Sequence, residues 1–182
     1  PSDIHFIKGE YGQPRKARMP AGFEACGDVV AGPKTLIGQR VAFVAGPNGS
    51  GAWAEYAVAD ASGCIPLRPD ISDNDGAAQI VNPLTAMAMI HLAHDAGDAV
   101  IITAAASQLG KLMIGLARDM GMKSIATVRR DAAIAPLMAL GATTVLNTQD
   151  PKFADDAQTV IQRYKPRVML DAVGDQTSET IF

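Results

Sequence analysis

One stretch constrains this chain more than any other. An apolar run, AVII (residues 99–102), passes directly into TAAASQLGK (103–111), and that into LMIGLARDMG. Four apolar residues without alternation suit a strand buried on both faces. Downstream, Leu109, Leu112, Met113, Leu116, Ala117 and Met120 recur at offsets of three and four, one face of a helix. Gly121 then fits the left-handed position that ends a helix. Strand, tight turn and helix in that order cannot stand alone. The strand needs cover on both sides, so the unit calls for a parallel sheet packed between helices.

The rest of the second half repeats this grammar. AAQIVNPLTAMAMIHLAHDAG reads as a mostly apolar helix, or pair of helices, ending at Gly97. SIATV, TTVLN and RVMLDAV read as further strands, and AAIAPLMALG and ADDAQTVIQRYK as the helices between them. Pro136 must shorten or kink the first of these helices, and Asp131 is placed to cap it. Residues 1 to 77 follow other rules. They are rich in Gly and Pro, with short β-type runs (GDVVAG, QRVAFVAG, AEYAVAD) and turn signals such as GPNGSG. The expected organisation is α/β: a mostly β domain over residues 1–77, then a parallel-sheet domain over 78–182.

Charge and cysteines narrow the possible partners. The net charge is −3 and the basic residues are mostly scattered, Arg15-Lys16 and Arg129-Arg130 being the only doublets. That argues against a nucleic-acid or anionic-membrane surface. Cys26 and Cys64 have neither metal-ligand spacing nor the look of a disulfide framework, so a reducing, cytoplasmic setting is expected. No apolar run would span a bilayer and no signal peptide is visible. The chain starts PSDIHF without Met and stops at TSETIF just after a strand, so a fragment, or a set of ordered pieces, is expected.

The turn after AVII also carries chemistry. In a dinucleotide site, the pyrophosphate sits over free N–H groups at a helix start. Glycines there give a tight turn, close backbone approach and close helix packing. Here the three places, spaced by three, hold Ala104, Ser107 and Gly110. Ala and Ser are the next smallest residues, and the Ser107 hydroxyl can donate to a phosphate oxygen. An ordinary small-residue turn fits the loop equally on its own. A P-loop does not fit: Leu112 stands where Ser or Thr should hold magnesium, and the leading Gly is missing. About 20 residues further on, an NAD site places an acid and an NADP site an arginine. Arg129 and Arg130 stand there, and guanidinium matches phosphate. Either they meet the 2′-phosphate of NADPH or they are merely solvated. Asp131 turned inward would instead bind ribose hydroxyls.

Taken together, the motifs resemble the medium-chain dehydrogenase/reductase superfamily, in its zinc-independent quinone reductase and enoyl-thioester reductase branch. PSDIHFIKGEYG looks like the family's substrate-site segment, and MPAGFEACGDVVAG like its Gly-x-Glu-x-x-Gly-x-Val stretch. IGQRVAF is similar to its G-D-R-V turn, GAWAEYAV to its A-E-Y strand, and VNPLTA to its Asn-Pro-x-Thr-Ala helix start. TAAASQLGK and TVRRD follow in order. The resemblance implies a partial GroES-like domain, followed by a partial Rossmann-type doubly wound parallel sheet. Pro1 and Phe23 stand where the zinc-dependent members carry a Cys and a His, and neither can bind zinc. His91 and His94 lie at i, i+3 without a third ligand and read as surface histidines, so no metal is expected.

Without zinc, the resemblance implies hydride transfer from NADPH to a conjugated carbonyl, a quinone or an enone or 2-alkenal. An alternative is a 2-enoyl thioester of CoA or acyl carrier protein. A third reading is a nucleotide-binding protein with a structural or partner-binding role. Building charge on the carbonyl oxygen calls for a hydroxyl donor. Tyr11, in a segment like the family's G-x-Y, is the candidate catalytic residue; a rim tyrosine that only shapes the pocket is the other reading. The cofactor-binding candidates are Asn82, Thr85, Ala106, Ser107, Gln108, Leu109, Gly110, Arg129 and Arg130. Asn82 before Pro83 also makes a good cap pair. A homodimer is expected from the family.

Overall fold

The computed structural model describes residues 2–12, 20–45 and 50–181. Pro1, Met19 and the first four residues of the GPNGSG turn lie outside them. The chain divides into two compact units, Pro1–Val81 and Asn82–Phe182.

In the first unit a short helix, α1 (Ser2–Lys8), precedes the strands β1 (Glu24–Asp28), β2 (Arg40–Val44) and β3 (Ile65–Pro66). The sheet is antiparallel in the order β1-β2-β3, with Glu24 opposite Val44 and Asp28 opposite Arg40. Pairing continues just past β1, where Val29 N–H donates to Gln39 O (3.0 Å) and Gly38 N–H to Val29 O (2.9 Å). Gly38 lies at φ +79°, which the return turn requires. Val41 and Ala42 are buried. Arg40 fastens the following chain. Its guanidinium donates to Asp73 Oδ1 at 2.8 Å, to Arg68 O and to Ile71 O. Those bonds hold the turn before α2 (Asp73–Gly76), which Ser72 caps by accepting from Asp75 N–H at 3.1 Å.

The strands of this unit depart from the sequence pattern in two places. GDVVAG is mostly outside the strand, which lies earlier, over EACGD. AEYAVAD is not a strand. Its alternation is real, yet Trp53, Tyr56 and Val58 are exposed, and among the described residues no strand pairs with it. A strand needs a ladder partner as well as a pattern.

The second unit begins with most of α3 (Val81–Ala96), followed by β4 (Ala99–Ile102), α4 (Gln108–Asp119), β5 (Lys123–Val128), α5 (Ile134–Leu140), β6 (Thr144–Asn147), α6 (Phe153–Tyr164), β7 (Val168–Leu170) and α7 (Gln176–Ile181). All four strands are parallel, in the order β6-β5-β4-β7. Alternate residues of β4 and β5 face opposite ways. Val100, Ile102, Ala126 and Val128 join Ile90 of α3, Met113 and Ile114 of α4 and Leu137 of α5. Ile101 and Ile125 join Phe153 and Ala157 of α6 and Ile181 of α7. The sheet is thus covered on both faces, as the unbroken AVII run required. Each fully buried Ile or Val contributes about 1.5–3 kcal/mol. Among the described residues no helix is long and apolar enough to cross a membrane.

Helix starts depart from expectation twice. α3 begins at Val81, so Asn82 and Pro83 lie in its first turn rather than at its cap. Proline is tolerated there because first-turn N–H groups have no helical partner. Asp131 does not cap α5. It opens a 3-10 turn over Asp131–Ala133, and its Oδ1 accepts from Asn147 Nδ2 at 2.6 Å. The 3-10 turn keeps α5 short, with Pro136 in its first turn. Gly121 lies at φ +75° just past α4.

Candidate functional site

In the second unit the strand order sets the site. From β4 the chain moves through β5 to β6, then returns to place β7 on the other side of β4. Connections leaving β4 and β7 therefore diverge, and a crevice opens at their carboxyl ends, the usual ligand position in such sheets. A cavity of about 1010 Å³ lies there. Ala104, Ala106 and Ser107 line it from the β4 turn, Thr127 to Arg130 from the end of β5, Thr148 and Gln149 after β6, and Ala172, Val173, Asp175 and Thr177 after β7.

The β4 turn is built to bring backbone close. Ala104 sits at φ +46°, in the left-handed region that glycine adopts freely, at a cost of about 1–2 kcal/mol for an L-residue. Ala105 N–H donates to Thr127 O at 3.2 Å, tying the turn to β5. Gly110 lies against that turn. A Cβ there would stand 2.6 Å from Ala105 O and 2.7 Å from its Cα. Ser107 is the α4 cap, its Oγ accepting from Gly110 N–H at 3.1 Å. The first helical bond runs from Lys111 N–H to Ser107 O, so the amides of Gln108 and Leu109 come before the ladder starts. Ser107, at the positive end of this 12-residue helix, lines the cavity, whereas Gln108, Leu109 and Gly110 follow it in the chain and do not line it. The Ser107 hydroxyl keeps its proton to donate. The Leu109 side chain packs on the core, so only its backbone is placed to serve a ligand.

Arg129 and Arg130 are exposed at the end of β5 and line the cavity, and among the described residues neither has an ion-pair partner. Arg130 also borders a smaller cavity of about 300 Å³ with Lys111 and Pro136. The turn after β7 was not read from the sequence. Asp171 accepts from Ser178 Oγ (2.6 Å), Val173 N–H (2.9 Å) and Thr103 Oγ1 (2.7 Å), and also from Gly174 N–H. These donors, Ser178 first, hold its carboxyl well below the usual carboxylate range. Thr103 in turn accepts from Ala172 N–H at 2.8 Å, so the two crevice walls are cross-linked. The signal was present as an Asp directly after the apolar run RVML and three residues before a glycine.

Asn82 and Thr85 are half-buried in the first turns of α3 and do not line either cavity. His91 and His94 are exposed. Among the described residues no group of three or more His, Cys, Asp or Glu could hold a metal.

In the first unit Tyr11 belongs to an aromatic cluster. It lies 5.0 Å from Phe23, centroid to centroid, the rings tilted by 36°. Phe23 meets the buried Phe6 edge-on at 5.5 Å. The Phe23 carbonyl accepts from Ala45 N–H at 2.8 Å, and the two residues before it are also held. Asp3 Oδ1 accepts from Gly22 N–H at 2.7 Å. Trp53 N–H donates to Ala21 O, and Ala52 N–H to Gly22 O. Tyr11 itself is 39% exposed.

A GroES-like β unit followed by a Rossmann-like parallel-sheet unit is the architecture these residues define. Residues 1–69 match the alcohol dehydrogenase GroES-like domain family. The chain is 33% identical over 192 residues to a mitochondrial enoyl-[acyl-carrier-protein] reductase of Arabidopsis thaliana, covering 100% of this chain and 51% of that protein. It is 50% identical to a Mesorhizobium loti protein described as a candidate NADPH:quinone reductase (TM-score 0.93, 99% of this chain, 54% of that one). It is 26% identical to the quinone oxidoreductase of Thermus thermophilus, a structure determined also with NADPH (TM-score 0.78, 98% and 56%). The chain is thus a homologue of quinone and enoyl reductases, consistent with that branch of the medium-chain dehydrogenase/reductase superfamily. It spans about half the length of the curated relatives it matches.

Proposed function

We propose that this chain carries the cofactor-binding and catalytic residues of a zinc-independent, NADPH-dependent reductase of quinones or of conjugated enones and 2-alkenals. The observation that carries the reading is the crevice beside β4, lined both by Ser107, the cap of α4, and by Arg129 and Arg130. Bound there, NADPH would supply a hydride to the β-carbon of the substrate. The Gln108 and Leu109 amides, with the Ser107 hydroxyl, would hold the pyrophosphate above Ala106 and Gly110. Arg129 and Arg130 would hold the 2′-phosphate, and Asn82 and Thr85 the nicotinamide end. Tyr11 would donate its hydroxyl proton toward the oxygen that gains charge. Phe23 offers carbon only, so no metal is invoked at its position. A homodimer in the cytoplasm belongs to the same reading.

The enoyl reductase relatives favour a second substrate class, 2-enoyl thioesters. Oxidation of NADPH by a quinone, an enone and a crotonyl thioester, assayed side by side, separates the two. Turnover of quinone or enone with little on the thioester is the expected result. A preference for the thioester supports the second class, and no turnover of any substrate would support a non-enzymatic nucleotide binder instead.

A further inference from the structure

We infer that Phe23 is a positioning residue that sets the Tyr11 hydroxyl; the inference rests on the proposed role of Tyr11. A phenol that delivers a proton needs its oxygen placed within a few tenths of an ångström, yet Tyr11 is 39% exposed and follows a helix of only 7 residues. Its own segment is poorly suited to fix it. α1 ends in a turn where Gly9, at φ +77°, donates to Phe6 O (3.0 Å) and Glu10 donates to His5 O (2.9 Å). Tyr11 comes just after those bonds. Among the described residues, the ring contact with Phe23 is therefore what orients it. Phe23 can do this because its own place is over-determined. Below it is the edge of buried Phe6. Its preceding residue, Gly22, is held by the Asp3 carboxylate and the backbone at 52–53. A Cβ on Gly22 would stand 2.5 Å from Trp53 N, so the two backbones lie in close contact there. Rigid backbone, buried ring, half-buried ring and exposed phenol thus form a series of decreasing constraint, ending at the reacting atom.

Offset and edge-to-face aromatic contacts are geometry-specific in a way that aliphatic contacts are not. Replacing Phe23 by Leu keeps an apolar side chain but removes the surface that fixes the tilt. Displacing a reacting group by a fraction of an ångström lowers turnover more than substrate binding. A side chain that merely walls the substrate pocket would change KM first.

The test is a double-mutant cycle on the protein with NADPH and its best carbonyl substrate. Tyr11→Phe is expected to lower kcat by about 100-fold, within the range for general acid catalysis. Phe23→Leu is expected to lower kcat about tenfold by misplacement. KM and NADPH affinity should stay within about twofold, since neither reports orientation. Phe23→Tyr, which keeps the ring, should restore kcat. In the Tyr11→Phe background, Phe23→Leu should cost nothing further. Thermal melts accompany each variant, and Phe23→Met replaces Phe23→Leu if the latter does not fold. An unchanged kcat in Phe23→Leu, with Tyr11→Phe impaired, overturns the positioning role alone. So does a fully additive double mutant or a change confined to KM. An unchanged kcat in Tyr11→Phe overturns the Tyr11 reading, and the inference with it.

Discussion

The two units differ in how far their strands are buried. In the second, β4 is buried along its whole length and both sheet faces are covered by helices. In the first, Val41, Ala42 and Phe6 are buried, while Trp53, Tyr56 and Val58 are exposed at 59%, 74% and 67%. The difference teaches where tight packing is used. In the second unit close approach serves the cavity, because Gly110 holds the α4 start against the Ala105 backbone. In the first it serves the chain itself, because Gly51 lies against the backbone of Pro20 and Ala21.

The largest expected effect separates these two uses. A Cβ at Gly51 would stand 2.0 Å from Pro20 O, and one at Gly110 2.6 Å from Ala105 O. Gly51→Ala and Gly110→Ala should each destabilise by about 1–3 kcal/mol through overpacking, read by denaturant unfolding. Only Gly110→Ala should also weaken NADPH binding, by about tenfold or 1.4 kcal/mol. An equal loss of NADPH affinity in both variants would erase the contrast.

A smaller effect concerns pH. The Asp171 carboxyl is held below its ordinary value by Ser178, Val173, Thr103 and Gly174. A depressed carboxylate stabilises the fold above its unfolded pKa, and that stabilisation is lost as pH falls through the folded value. Stability of the native protein should therefore fall with acid through the usual carboxylate range and below it. Asp171→Asn should flatten that fall while lowering stability near neutrality. An acid limb identical in both proteins would mean that Asp171 does not shape the acid response.

The smallest effect is at Ala104. Relief of its left-handed backbone by Ala104→Gly should raise stability by under about 1 kcal/mol, since glycine's own entropy offsets part of the gain. Destabilisation in chemical denaturation would mean that Ala104 carries no such strain.

Much of the second unit was legible because its signals are local. The run AVII, the three-four spacing after Leu109 and the small residues at 104, 107 and 110 each follow from adjacent sequence. Ala106, Ser107, Arg129 and Arg130 converge on one cavity, whereas the turns holding Thr148, Gln149 and Ala172 to Thr177 went unread. Those turns are recognised only once β6 is known to lie beside β5 and β7 beside β4, long-range pairings that no local pattern encodes. Asp131 misled for a similar reason. A cap and a tether to Asn147 need the same residue type, and only the packing of β6 beside β5 decides between them. In the first unit AEYAVAD misled through its alternation, because a strand is defined by its partner. The contact of Tyr11 with Phe23 spans 12 positions and left no trace in periodicity.

We propose that the crevice beside β4 selects a phosphorylated dinucleotide through Arg129 and Arg130. Calorimetric titration of NADPH and NADH into the protein and into an Arg129→Ala/Arg130→Ala variant tests it directly. Charge-assisted bonds to the 2′-phosphate predict NADPH tighter by about tenfold or more, with the preference abolished in the variant. Equal affinities in the unaltered protein, or a preference that survives loss of both arginines, would contradict it.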